Sequence, residues 1–198
     1  MLKVVVILAF TKTSCQYLSG FDPPHLSLTP FAPDDKIILF FKSFMRKLIL
    51  AISSGLGTGY FPVAPGTAGS LLGLAIIVPF TLNGGDIGGP LYVILSAAIF
   101  FTGVWASGEA EKIHGEQDCG KIVVDEVAGM LVTLYLLPAT WFYLIVGFFA
   151  FRFFDIVKPF PARRIDQRMH GGLGVMLDDI VAAIYANLSL HLLKLVVS

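Results

Sequence analysis

Three short runs of the chain set carboxylates, fixed cations and glycines at spacings that suit chemistry. In Asp118-Cys-Gly-Lys-Ile-Val-Val-Asp125-Glu126-Val-Ala-Gly129, two adjacent carboxylates stand at the mouth of an apolar stretch. Carboxylate oxygens are hard ligands that suit Mg²⁺. A charged carboxylate near mid-bilayer costs about 3 kcal/mol, so it is kept near the interface or given a cation. The plain alternative is a helix N-cap at Asp125, with Glu126 at the positive end of the dipole. The second run is Arg152-Phe-Phe-Asp155-Ile-Val-Lys158-Pro-Phe-Pro161, leading to Gly171-Gly-Leu-Gly174-Val-Met-Leu-Asp178-Asp179. If helical, Arg152, Asp155 and Lys158 share one face, and cations beside a carboxylate suit an anion held next to a metal. Its plain alternative is an ion-paired helix end followed by an N-capped helix. The third run, Gly55 to Ser70, has glycines at 55, 57, 59, 66 and 69. Its N–H groups could cradle a phosphate, or the glycines could merely let helices pack closely.

Other chemistries fit poorly. Cys15 and Cys119 are the only cysteines, and neither has an arginine six residues on. A disulfide framework, a multi-cysteine metal site and a Cys-x5-Arg nucleophile are therefore excluded. His25, His114, His170 and His191 are scattered without a metal-ligand spacing, and His114 and His170 read as solvated loop residues.

The elements that must position these runs are membrane elements. Of 198 residues, 56% are hydrophobic and 14% charged, and mean hydropathy is +0.79. A soluble domain carries about 25% charged residues. Fourteen Lys and Arg balance fourteen Asp and Glu, so no basic field attracts nucleic acid. Apolar spans are expected over Thr67–Leu82, Pro90–Ser107, Val127–Leu137, Ala139–Phe154 and Val175–Val197. Several are shorter than the roughly 20 residues a crossing needs, and Pro138 separates the third from the fourth. Lys36 to Ile52 reads as a basic amphipathic helix lying in the headgroup plane, or else as a helix packed on the others. Residues 1–35 read as an irregular extension before a membrane domain at 36–198. The fold class expected is all-α: a polytopic membrane helical bundle with an N-terminal interfacial amphipathic helix.

The polar segments Gly55–Gly66, Gly108–Glu126 and Asp155–Gly174 follow even numbers of crossings, so they are expected on one face. Lys112, Lys121, Arg152, Lys158, Arg163, Arg164 and Arg168 lie beside that face, whereas the opposite ends carry only Lys194. The positive-inside rule makes the polar face cytoplasmic, in a multi-pass protein of the cytoplasmic (inner) membrane.

Pro62-Val-Ala-Pro-Gly-Thr67 with Gly69-Ser70, Ile122-Val-Val-Asp-Glu126, Phe151-Arg-Phe-Phe-Asp-Ile-Val-Lys-Pro159 and Gly171-Gly-Leu-Gly-Val-Met-Leu-Asp-Asp179 occur in that order. On these motifs the chain, from about Ser54 onward, resembles the phosphatidylglycerophosphatase A family. Tyr60-Phe61 departs from the aliphatic residue that family tends to place after Gly-Thr-Gly, which bears on lipid contacts. The resemblance implies a Mg²⁺-dependent lipid phosphatase that converts phosphatidylglycerophosphate to phosphatidylglycerol and phosphate, with a membrane phospholipid as substrate. Asp125, Glu126, Asp155, Asp178 and Asp179 are then the expected metal and catalytic residues. Gly57, Thr58, Gly59, Gly66, Thr67, Arg152 and Lys158 are the expected phosphate binders. The chief rival is a small transporter or channel with carboxylates as its ion path, which would need acids deep in the spans. A CDP-alcohol phosphotransferase is disfavoured because its Asp-Gly-x2-Ala-Arg core is missing.

Overall fold

The computed structural model describes residues 35–82, 87–117 and 119–197, and these are helical with no strand among them. The expected extension (apart from Asp35), the turn bearing Asp86, and Asp118 lie outside the described residues. Seven helices follow in order among the described residues: α1 (Asp35–Ser53), α2 (Pro65–Leu82), α3 (Pro90–His114), α4 (Val124–Thr133), α5 (Trp141–Val157), α6 (Ala162–Arg168) and α7 (Gly172–Val197). Pro65 and Pro90 open α2 and α3, where a missing N–H costs nothing. Gly115 closes α3 in the left-handed region, its N–H donating to the Glu111 carbonyl.

Each expected apolar span is a helix, with three differences. α3 runs two turns past Ser107, because Glu109-Ala-Glu-Lys112 are good helix formers and Lys112 pairs with Glu109 at 2.6 Å. α4 starts before Val127, so Asp125 and Glu126 sit inside its first turn. The segment expected as a loop between Asp155 and Gly174 contains α6.

α2, α3 and α7 are long and apolar enough to cross a bilayer. Leu91, Ile94, Phe101, Phe149, Leu188 and Leu192 are all exposed, which in this setting means lipid-facing. This is a membrane protein. Every described side chain from Lys36 to Leu48 on α1 is exposed, and only its last turns are held, with Ile49 buried beside Val124.

α4 is the centre of the bundle, packed against α2, α3, α5 and α7. Its ten residues span about 15 Å, half the hydrocarbon thickness. A short buried helix needs partners for its terminal groups. At one end, the Val123 N–H preceding α4 donates to the Ser53 carbonyl at 2.9 Å. At the other, Asn187 Nδ2 donates to the carbonyls of Thr133 (3.0 Å) and Tyr135 (2.9 Å), and the Tyr92 hydroxyl donates to the Leu131 carbonyl at 2.6 Å.

Glycines set the helix spacing. Gly69 and Gly73 lie against Val123 and Met130, where a Cβ at Gly73 would come within 2.7 Å of the Met130 Cβ. A Cβ at Gly172 would strike the Val104 carbonyl and the Gly108 nitrogen, both main chain and unable to swing aside. Gly172→Ala should therefore lower the unfolding midpoint in detergent, at a cost of about 2 kcal/mol. Gly120→Ala, where a Cβ meets nothing, should leave it unchanged.

Candidate active site

Three segments far apart in sequence meet at the start of α4. Asp125 and Glu126 occupy the first turn of α4, whose N-cap is Val123 with no side-chain cap, so neither carboxylate caps the helix. Asp178 and Asp179 lie almost two turns inside α7 and do not cap it either. Oxygens of Asp125, Glu126 and Asp179 all lie within 4.8 Å of one another. Asp125, Asp178 and Asp179 are buried, at 9%, 6% and 4% exposure. Their neighbours on α5 supply the fixed charge: Arg152 Nη1 reaches Asp155 Oδ2 at 2.7 Å and Glu126 Oε1 at 3.9 Å. The glycine-rich segment closes this side, since a Cβ at Gly66 would collide with Glu126 Oε1 and lie 3.2 Å from Arg152 Nη1.

The electrostatics are unbalanced. Burial, reinforced by Glu126 and Asp179, holds the Asp125 carboxyl well above the usual carboxylate range. Burial raises Glu126 too, with Arg152 opposing the shift. Asp125 Oδ1, Glu126 Oε2 and Asp179 Oδ2 are buried without a hydrogen-bond partner. Partnerless buried carboxylate oxygens around one point are what a hard divalent cation satisfies. The donor set therefore fits Mg²⁺.

Two expectations are corrected. Lys158 does not share the Arg152 and Asp155 face, because Pro159 ends the helix and Lys158 takes the left-handed conformation (φ 46°) as its cap. Its Nζ lies instead between Asp166 Oδ1 and Asp178 Oδ2, each at 2.6 Å. Burial acts to lower the Lys158 pKa, but the two carboxylates outweigh it and hold the ammonium charged. Lys158 thus anchors Asp178, and Arg152 is the cation beside the acidic cluster. Second, the expected phosphate cradle at Gly57, Thr58 and Gly59 has spent its donors: their N–H groups bond to Ser54 and Gly55 carbonyls within a tight turn, and the Thr58 hydroxyl does the same. Gly66 and Thr67 remain in the first turn of α2, where N–H groups have no intrahelical acceptor. His114 and His170 lie outside the cluster. Asp166 joins the site without a signal in the sequence, since α6 (Ala162–Arg168) shows no apolar periodicity that would mark it.

A sequence model of the family described as phosphatidylglycerophosphatase A matches residues 51–194. The chain belongs to that family. A phosphatidylglycerophosphatase A of Haemophilus influenzae is 37% identical over 137 residues, 68% of this chain and 82% of the relative. One from Escherichia coli K12 is 38% identical over 134 residues, covering 67% and 76%. A Bacteroides thetaiotaomicron protein provisionally named phosphatidylinositol-3-phosphatase is 37% identical over 150 residues, covering 70% and 89%. No solved structure gives a significant match. Family membership makes this protein an enzyme of phospholipid metabolism, a phosphatase acting on phosphate monoesters.

Charge balance here is open to direct measurement. With EDTA present, Asp125→Asn should raise the unfolding midpoint by relieving repulsion among the three carboxylates. Lys158→Met should lower stability by about 2 kcal/mol, short of a fully buried pair because 27% of the Lys158 side chain is exposed.

Proposed function

We propose that the protein is a Mg²⁺-dependent phosphatidylglycerophosphatase of the cytoplasmic membrane, with its site on the cytoplasmic face. The observation that carries this reading is the convergence of three partnerless carboxylate oxygens, from Asp125, Glu126 and Asp179, beside Arg152. Those three carboxylates would hold the ion, which when bound offsets phosphate charge and acidifies a water for attack on phosphorus. Arg152, kept in place by Asp155, presents its guanidinium to the phosphate oxygens, a geometry that favours two parallel hydrogen bonds. The N–H groups of Gly66 and Thr67 add donors at the positive end of α2. Lys158 neutralises Asp178 and so fixes the stretch of α7 that carries Asp179. In the net reaction water adds to phosphorus, the bond from phosphorus to the glycerol oxygen breaks, and the alcohol takes a proton.

Charge bias supports the cytoplasmic orientation: α6 and the ends of α3 and α5 near the site hold Lys112, Arg152, Arg163, Arg164 and Arg168. The motifs and two of the three relatives support phosphatidylglycerophosphate as the lipid. A transporter is disfavoured, since residues 71–82, 87–107, 127–154 and 180–197 contain no Asp or Glu and offer no acidic path between the ends.

Purified protein should release phosphate from phosphatidylglycerophosphate, lose that activity in EDTA and regain it with Mg²⁺. Asp125→Asn, Asp179→Asn and Arg152→Ala should each lower kcat by roughly 100-fold or more. Release indifferent to EDTA would sink the metal assignment. A higher kcat/KM for phosphatidylinositol 3-phosphate would move the substrate to the lipid named for the Bacteroides relative.

A further inference from the structure

An apolar groove of about 660 Å³ runs down the outside of α2 from the site end. Ala64, Ala68 and Ala75 leave its floor low, while Phe61 and Leu71 stand as walls. None of its lining residues is charged, and the Thr58 hydroxyl at its rim is turned onto main-chain carbonyls. From Thr67 to Ala75 it follows the helix for about 12 Å, directed from the site into the hydrocarbon depth that α2 can cross.

The groove meets the site at its open edge. Thr67 at its head follows Gly66, whose main chain lies against Glu126 and Arg152. Glu126, Arg152 and its partner Asp155 keep some access, with side chains 13%, 19% and 15% exposed against 7% for Asp178. A cation marks the same end: the turn Thr58–Tyr60 packs on the Lys121 carbonyl through Gly59, and Lys121 Nζ stands 6.0 Å from the Tyr60 ring centroid. An apolar trough in the bilayer with a lysine at its head and a phosphate-handling site beside it complements an anionic phospholipid. A second apolar groove of about 370 Å³, lined by Tyr92, Phe101 and Ile180, lies on the other side of α4 with no charged lining residue.

We propose that the α2 groove seats an acyl chain of the substrate lipid, and that Lys121 takes the phosphodiester linking that lipid's diacylglycerol to its headgroup. This rests on the phosphatase reading above, and it makes the groove and Lys121 determinants of substrate affinity that never touch the reacting phosphate.

Two forms of one substrate, dioleoyl and dihexanoyl phosphatidylglycerophosphate, separate the outcomes. Filling the groove with Ala68→Leu, or with Ala75→Leu at an exposed position that folding tolerates, should raise KM for the dioleoyl lipid roughly tenfold. KM for the dihexanoyl lipid should stay within about twofold, and kcat should hold for both. Lys121→Gln should raise KM for both forms, since both keep the phosphodiester. Ala97→Leu in the second groove should change neither. Equal effects on the two chain lengths, or a chain-length effect from Ala97→Leu in place of the α2 variants, would overturn the proposal. If the unmodified enzyme hydrolyses neither lipid, the phosphatidylglycerophosphatase reading fails. The groove is then judged by photolabelling in nanodiscs with phosphatidylglycerol bearing an acyl-chain diazirine. Label on residues 68–75 supports it, whereas label confined to the second groove, or dimers cross-linked through α2, refutes it.

Discussion

Like charges held close together in a poorly polarisable place dominate this molecule. Oxygens of Asp125, Glu126 and Asp179 lie within 4.8 Å of one another, close enough that each ionised carboxylate repels the next. The bundle must hold them there against that force. It does so by placing two of them on its most enclosed helix, α4, and the third on α7, which packs along it. Arg152 and Lys158 offset the surrounding charge only in part, because each is already engaged by carboxylates of its own. The unpartnered oxygens that remain, on Asp125, Glu126 and Asp179, are hard donors of the kind a divalent ion satisfies.

Close helix approach makes this enclosure possible. Gly69 and Gly73 bring α2 against α4, Gly129 lies under the Phe151 ring, and Gly172 lets α7 touch the backbone of α3. Lipid gives helices little hydrophobic reason to associate, so contact area from small residues carries the packing. Four helices around a short central one leave Asp125 and Asp179 buried, while Glu126 and Arg152 keep side chains 13% and 19% exposed.

Much of this was legible beforehand. α2, α3, α5 and α7 announce themselves by apolar length, and α1 by its one-sided Lys36, Lys42, Arg46 and Lys47. The meeting of the three polar segments follows from counting crossings, a topological argument that survives errors in helix boundaries. Direction at the ends was less accessible. Lys158 has helical spacing from Arg152, yet Pro159 turns it to α6 and α7, and a wheel diagram carries no information past the last turn. Glycines at 57 and 59 look like a phosphate nest, but a nest and a self-satisfied turn share a composition and differ only in where the N–H groups point. Asp166 lies on a helix of seven residues, below the length at which periodicity registers.

The length of α4 has one further consequence. Its acidic end sits only about 15 Å above its other terminus, where Tyr92 and Asn187 tie off the last carbonyls amid Leu131, Leu134 and Leu190. That end of α4 is thus closed by hydrogen bonds and apolar packing. The ionisable groups of the site are confined to one end of the bundle, and a charge moving towards the other end would have to enter a region that offers it no solvation.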